Sequence, residues 1–230
     1  MKLPLIISVP HAGLTVPQEA RDYCVLTPEQ ILADSDEGAA EIYDLKSEVA
    51  AHITTDVARA IVDMNRAEDD RGRDGIVKTH TSYNALVYRQ PVHEDVVEIL
   101  LERYYRPYHL RLSESAADTK FGVDCHTMAA VGPPCSEDSG CERPNICLSN
   151  AHGTCPQEWF EKMVHCFKKS FDSEISVNHP FKGGHIIRSH SSELPWIQVE
   201  LSRAPFLQTG EKRERILEAL NIFCRMILDG

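Results

Sequence analysis

The sequence predicts a single-domain, three-layer α/β/α sandwich, a mixed sheet with helices on both faces. Three observations carry this. Apolar runs of strand length alternate with stretches of helical periodicity along the whole chain, and no linker or internal repeat divides it. At 230 residues the chain fits one large domain with a substantial core. A hydrophobic content of 42% with 26% charged residues is ordinary globular composition.

Residues 3–9 are nearly all apolar and read as a fully buried strand. It ends at Pro10-His11-Ala12-Gly13, so a histidine is delivered at the strand's carboxyl end, where open α/β sheets bind ligands. Thr27-Pro28-Glu29-Gln30 is a capping box with proline at the first helical position. The short helix it starts runs into the acidic stretch Asp34-Ser35-Asp36-Glu37. Residues 39–53 follow as a second helix, with Ile42, Leu45 and Val49 on one face. Residues 57–64 are the next strand, ending in Asp63-Met64-Asn65-Arg66, and the polar stretch 67–74 is a surface loop. From residue 96 to about 115, Val97, Leu101, Tyr104 and Tyr108 keep helical spacing, and Pro107 must kink or restart that helix.

The central strand is Phe121-Gly122-Val123-Asp124-Cys125-His126, an apolar lead-in that ends in polar residues. Alternation places Asp124 and His126 on one face. An acid and an imidazole at a strand end suit a metal or proton-transfer site better than a dry core. A loop over 129–143 leads to a strand over 145–150, the turn Ala151-His152-Gly153-Thr154, and a helix over 156–171 with Phe160, Met163, Val164 and Phe167 inward. Residues 174–177 are strand-like, and 178–185 form a glycine-rich loop carrying His179 and His185. Residues 196–203 alternate strictly, which puts Gln198, Glu200 and Ser202 on one face. Residues 210–228 close the chain as an amphipathic helix with Ile216, Leu220, Phe223 and Ile227 inside.

A net charge of −11 and the lack of any Lys/Arg run argue against a nucleic-acid surface, though local arginines still suit a small anion. The apolar start, residues 1–8, is too short for a signal peptide, and no stretch reaches transmembrane length, so a cytoplasmic location is expected. The eight cysteines then read as reduced, mostly buried thiols. Cys135, Cys141 and Cys147 lack the paired C-x-x-C spacing of a structural zinc site.

Four strand ends carry polar residues: His11, Asn65-Arg66, Asp124-His126 and Glu200-Arg203. Catalytic zinc takes three protein ligands from His and carboxylate and leaves a fourth position for water. His11 and His126, with Asp36 or Glu37 as the carboxylate, are the candidate ligands. An unligated glutamate can take the proton of the activated water, and Glu200 fits that part. Arg59, Arg66 and Arg203 are candidates to polarise a carbonyl or clamp a substrate carboxylate. No nucleophile elbow, phosphate loop or dinucleotide fingerprint competes. His80, His93, His152, His165 and His190 read as surface or structural, and His109 as helix packing.

Five motifs, Ser8-Val9-Pro10-His11-Ala12-Gly13, Val62-Asp63-Met64-Asn65-Arg66, Asp124-Cys125-His126, Asn178-His179-Pro180-Phe181-Lys182-Gly183-Gly184 and Gln198-Val199-Glu200-Leu201-Ser202-Arg203, resemble the N-formylglutamate amidohydrolase family in kind and order. The resemblance implies a phosphorylase/hydrolase-like fold, distantly similar to zinc carboxypeptidases and aspartoacylases, with residues 1–230 as one catalytic domain. It implies zinc-dependent hydrolysis of an N-acylated acidic amino acid, N-formyl-L-glutamate to glutamate and formate, as in histidine degradation. The expected partner is a small anionic substrate, not nucleic acid or membrane. Position by position, it makes His11, Asp36 and His126 the Zn2+ ligands and Glu200 the general base. It places Arg59 near the scissile carbonyl, and Asn65, Arg66, Arg188 and Arg203 around the substrate. Two departures stand out. Ser35-Asp36-Glu37-Gly38 occupies the place of a common Thr-Asp-Trp-His, so Glu37 competes with Asp36 as ligand; His185 stands where a tyrosine is expected. A carboxypeptidase-like or broader N-acyl amino acid hydrolase is the alternative enzyme. A metal-containing binder without turnover is the alternative class, and Glu200 speaks against it.

Overall fold

Leucine and β-branched side chains pointing both ways make β1 (Leu3–Val9) a strand suited to burial on two faces. In the computed structural model, which describes residues 2–228, it lies between β2 (Val49–Thr54) and β3 (Phe121–Met128). The sheet continues through β6 (Trp196–Ser202) to β4 (Ile146–Ser149) and β5 (Ser176–Val177), in the order β2-β1-β3-β6-β4-β5. β2, β1, β3 and β6 are mutually parallel; β4 runs antiparallel to β6, and β5 parallel to β4. The sheet is therefore mixed, as expected. Its register sets Asp124 opposite both Ser8 and Gln198, and His126 opposite Glu200.

Helices cover both faces. Leu5, Ile7, Val9, Phe121, Val123, Cys125, Ile197, Val199 and Leu201 pack against α3 (Ala39–Ile42), α6 (Gln157–Phe171) and α8 (Thr209–Leu228). The opposite face meets α1 (Gln18–Arg21), α2 (Pro28–Asp34), α4 (Glu94–Leu100), α5 (Arg106–Ala116) and α7 (His185–Ser189). Because side chains alternate, Ser8, Asp124, His126, Gln198 and Glu200 fall on this second face. The Thr27 capping box forms as read, with Thr27 Oγ1 accepting from Gln30 N and Gln30 Oε1 accepting from Thr27 N. Among the described residues no helix is long and apolar enough to cross a membrane. All eight cysteines are free; Cys135 and Cys141 are exposed, whereas Cys125, Cys147, Cys155, Cys166 and Cys224 are buried.

Two expected elements are corrected. The second helix stops at Ile42, and residues 49–54 pair with β1 as the edge strand β2. Ile42, Leu45 and Val49 satisfy helical spacing, but the parallel pairing of Val49 with Leu3 overrides that weak local preference. The expected strand over 57–64 is irregular backbone. Its Val57, Ala58, Ile61, Val62 and Met64 are buried against the sheet face, which explains a run that looks like a buried strand. The helix over 96–115 forms with one modification: a π turn at Leu101–Tyr105 separates α4 from α5, just before Pro107 in the first turn of α5. The irregular turn accommodates the N–H that proline lacks.

Gly122 is the tightest point of the central strand. A Cβ there would stand 2.3 Å from the Trp196 ring, and Trp196 is wholly buried. Gly122→Ala should therefore lower stability by about 1–3 kcal/mol through overpacking. Urea unfolding read by tryptophan fluorescence checks this; an unchanged midpoint would show that the indole has room to move.

Candidate metal centre

Three separate elements bring three donors together. His11 follows β1, Asp36 follows α2 and is held by its N–H to the His11 carbonyl (3.1 Å), and His126 lies within β3. His126 Nδ1 stands 3.1 Å from His11 Nδ1 and 3.0 Å from Asp36 Oδ2, and His11 Nδ1 stands 3.6 Å from the same oxygen. All three residues are buried. The far side of each ring is occupied by a carboxylate: Asp63 Oδ1 at 2.7 Å from His11 Nε2, and Asp124 Oδ2 at 2.8 Å from His126 Nε2. Those carboxylates accept from Nε2–H, which leaves both Nδ1 lone pairs facing each other and the Asp36 oxygen.

Three acceptors at such distances repel unless a cation lies between them. Zinc bonds nitrogen and oxygen ligands at about 2.0–2.2 Å with tetrahedral angles, which sets ligand atoms roughly 3.3 Å apart. The observed edges of 3.0, 3.1 and 3.6 Å fit that triangle. The carboxylate behind each histidine is the usual support of a ligating imidazole. The residues present therefore suit a divalent ion.

Burial works against the ionised forms of Asp36 and Asp63, yet positive charge on the facing histidines holds both carboxyls well below the usual range. Arg66, Arg59 and Lys78 add to the effect at Asp63, and Asp124, Glu200 and Asp36 overcome burial to push the His126 imidazole up. The acids thus demand positive charge at the centre, which ring protons supply here and a divalent ion would supply in their place. Arg59 spans the two acids, with Nη1 donating to Asp36 Oδ1 (3.2 Å) and Nη2 to Asp63 Oδ2 (3.5 Å). Asp36 Oδ2 also accepts from Thr127 N at 3.1 Å. Glu37 is exposed, and only its backbone carbonyl meets the centre's surroundings, accepting from Thr127 Oγ1. Of the two acids, Asp36 is the one that shares the cluster with the two histidines.

Over the centre lies a cavity of about 340 Å³, lined by His11, Asp36, Arg59, Asn65, Arg66, His126, Gln198, Glu200 and Arg203 among others. Glu200 is buried beside His126 and accepts from Gln198 Nε2 at 2.9 Å; burial pushes its carboxyl up to about 7. Gln198 in turn accepts from Gly184 N at 2.6 Å, tying the glycine loop to β6.

Not every expected residue is free for a ligand. Asn65 lines the cavity, but its Oδ1 accepts from Ile186 N (2.8 Å) and its Nδ2 donates to Asp124 (3.2 Å), so its amide is used within the protein. Arg66 donates from Nε to the Asp74 carbonyl and from Nη2 to its carboxylate at 2.5 Å. Arg188 is outside the lining altogether: α7 turns it to solvent, and Nε donates to the Gly183 carbonyl. His185 is also off the cavity, with its ring 5.7 Å from that of His109. His109 packs as expected, bonded to the Met64 carbonyl and to the buried His190. Sequence reasoning passed over Asp63 as the partner of His11 and over Lys78, wholly buried among Asp34, Asp63 and Asp74. It also missed Arg73, Arg143 and Lys182 on the cavity wall. The Asp63-Met64-Asn65-Arg66 motif was the available signal for the first, and the Asn178–Gly184 motif for Lys182; nothing in the sequence marks the others.

A sequence model of the N-formylglutamate amidohydrolase family matches residues 3–207. An N-formylglutamate deformylase of Pseudomonas putida is 25% identical over 250 aligned residues, covering 100% of this chain and 92% of that protein. Among solved structures, N-formylglutamate amidohydrolase of Ralstonia eutropha superposes with a TM-score of 0.79 at 19% identity, covering 99% of this chain and 93% of that one. An Agrobacterium tumefaciens gene product gives 0.79 at 18% identity, covering 98% and 92%.

Metal analysis of the purified protein should find one divalent ion per chain. His126→Ala and Asp36→Ala should lose it, while Glu37→Ala keeps a full equivalent. A full equivalent in His126→Ala would refute the centre, and loss in Glu37→Ala would refute the choice of acid.

Proposed function

The chain belongs to the N-formylglutamate amidohydrolase family, and from that membership we propose that residues 1–230 form one catalytic domain that hydrolyses N-formyl-L-glutamate to formate and L-glutamate. The observation that carries the reading is the His11–Asp36–His126 triangle with Glu200 beside it in one arginine-lined cavity. His11, Asp36 and His126 would hold Zn2+, which supplies Lewis acidity and a water acidic enough to deprotonate near neutral pH.

The protein's own residues supply the rest. Glu200 takes a proton from the attacking water and hands it to the amide nitrogen, so the C–N bond breaks to a neutral amine. Burial, which raises its proton affinity, suits a group that must accept and then release a proton. Gln198 Nε2 holds the carboxylate in place. Arg59, fixed on Asp36 and Asp63, lines the cavity and is the cation assigned to the developing oxyanion. Asp63 and Asp124 hold the two imidazoles in the tautomer that presents Nδ1. Arg66 faces the substrate with its charge already balanced by Asp74, which makes it a positioning contact more than a charge clamp.

Glu200→Gln preserves size and the hydrogen bond to Gln198 but cannot accept the proton. Turnover of N-formyl-L-glutamate should fall about 10²- to 10⁴-fold with metal content unchanged. A variant within a few-fold of the parent would place the base elsewhere. Equal cleavage of N-formylglutamate and neutral N-acyl amino acids by the parent would make the chain a broader acylase.

A further inference from the structure

Lys78 is wholly buried, yet no step of the hydrolysis uses it. Taking an ammonium out of water is costly unless anions surround it, and three do. Asp74 Oδ1 lies 2.8 Å from Nζ, Asp63 Oδ2 3.4 Å and Asp34 Oδ2 3.7 Å. Among the described residues Nζ donates no aligned hydrogen bond, so it serves as a point charge between the three. Asp34, Asp74, Arg59 and Arg66 line the cavity, whereas Lys78 stands behind its wall. It reaches a substrate only through its neighbours.

The neighbour that matters is Asp63. Its Oδ1 is committed, accepting from His11 Nε2 at 2.7 Å and from Asn65 N at 2.9 Å. Its Oδ2 is shared by two cations at almost equal distance, Lys78 Nζ at 3.4 Å and Arg59 Nη2 at 3.5 Å. A guanidinium alone with a carboxylate closes to about 2.7–2.9 Å. Arg59 therefore holds Asp63 loosely, while its Nη1 keeps a bond to Asp36 at 3.2 Å. Its Nε has no acceptor among the described residues. Anchored by one arm, with the other at the limit of contact, the guanidinium can turn that second arm to a new anion at little cost.

Resting on the reading above, we propose that Lys78 is a positioning residue for the reaction: by sharing Asp63 Oδ2, it keeps Arg59 Nη2 available to the oxyanion that develops on the scissile carbonyl. Without the ammonium, Oδ2 keeps a buried charge of whose two contacts only Arg59 remains, and the guanidinium closes onto it. The loss falls on the transition state, where the oxyanion forms, and not on binding of the ground-state amide.

The test is a double-mutant cycle on N-formyl-L-glutamate hydrolysis, with parent, Lys78→Gln, Arg59→Lys and the double variant, each assayed for metal content. Gln keeps two donors for the surrounding acids but no charge; Lys at position 59 keeps the charge but has no second arm to turn. Lys78→Gln should hold one metal equivalent, lower kcat about 10- to 100-fold, and leave KM within about threefold. In the Arg59→Lys background the same change should alter kcat by less than about threefold. An unchanged kcat in Lys78→Gln, an equal fall in both backgrounds, or loss of metal overturns the assignment. If Lys78→Gln does not fold, the pair Asp34→Asn with Lys78→Gln, which removes one charge of each sign, replaces it in the cycle. Failure of that pair to fold as well makes Lys78 structural and overturns the assignment. A parent that leaves N-formyl-L-glutamate intact refutes the proposed activity itself, and this assignment with it.

Discussion

Two buried histidine–carboxylate pairs, His11–Asp63 and His126–Asp124, set the terms for everything around them. Each carboxylate claims the Nε2 proton of its ring, so both Nδ1 atoms arrive as acceptors in one small space with Asp36. The arrangement concentrates negative charge where water cannot screen it, and positive charge must be delivered from several directions. Arg59 bridges Asp36 and Asp63, and Lys78 lies 3.4 Å from Asp63 and 2.8 Å from Asp74. Removing one partner from a buried ionic group of this kind costs on the order of 3–5 kcal/mol, because the survivor keeps its desolvation penalty. The centre is thus a place where stability and function constrain the same residues.

The sheet supplies the geometry. Parallel β1 and β3 deliver His11 and His126 at their carboxyl ends, and β6 sets Glu200 beside His126 by register alone. The helical layer then fixes what the strands do not. From the α5 region, Tyr105 donates to the Arg66 carbonyl, Tyr108 bonds Ser8 beside Asp124, and His109 bonds the Met64 carbonyl. Residues 64–66 have no strand to hold them, and the Tyr105 and His109 bonds replace one. The π turn before α5 precedes all three of His109, Tyr108 and the helix proper, and contains Tyr105. Irregular helical turns of this sort frequently adjoin functional sites.

Much of this was legible in the sequence, for stated physical reasons. The period of two along residues 121–126 and 196–203 fixes which side chains share a face, so Asp124, His126, Gln198 and Glu200 could be grouped without coordinates. The capping box at Thr27 and the buried run of β1 are equally local signals. The failures are where local pattern and long-range pairing disagree. Val49 fits a helix face until Leu3 pairs with it, and Val57 to Met64 resembles a strand because burial on all sides removes periodicity. Charge pairing is the other blind spot. Arg66 and Arg188 had the right chemistry for a substrate clamp, but only the fold reveals that Asp74 already neutralises one and that α7 turns the other to solvent. Lys78, in an unremarkable Gly-Ile-Val-Lys stretch, gains its meaning from Asp34 and Asp63, brought to it by other segments, together with Asp74 four residues before it.

The balance of charge bears on how an anionic substrate enters at all. The chain carries a net −11, which repels a dianion at long range. At physiological ionic strength that repulsion is screened beyond about 8 Å, so the potential a substrate meets is set by the groups at the cavity. There, acids and cations are interleaved: Asp34, Asp74, Asp36 and Glu200 against Arg59, Arg66, Arg73, Arg143, Lys182 and Arg203. Asp36, Asp74 and Asp34 are committed to histidines, to Arg59 and Arg66, or to Lys78, while among the described residues Arg73, Lys182 and Arg203 have no acidic partner. Selectivity for an anion therefore requires no positively charged protein, only a few cations left unpaired inside a site whose other charges are mutually satisfied.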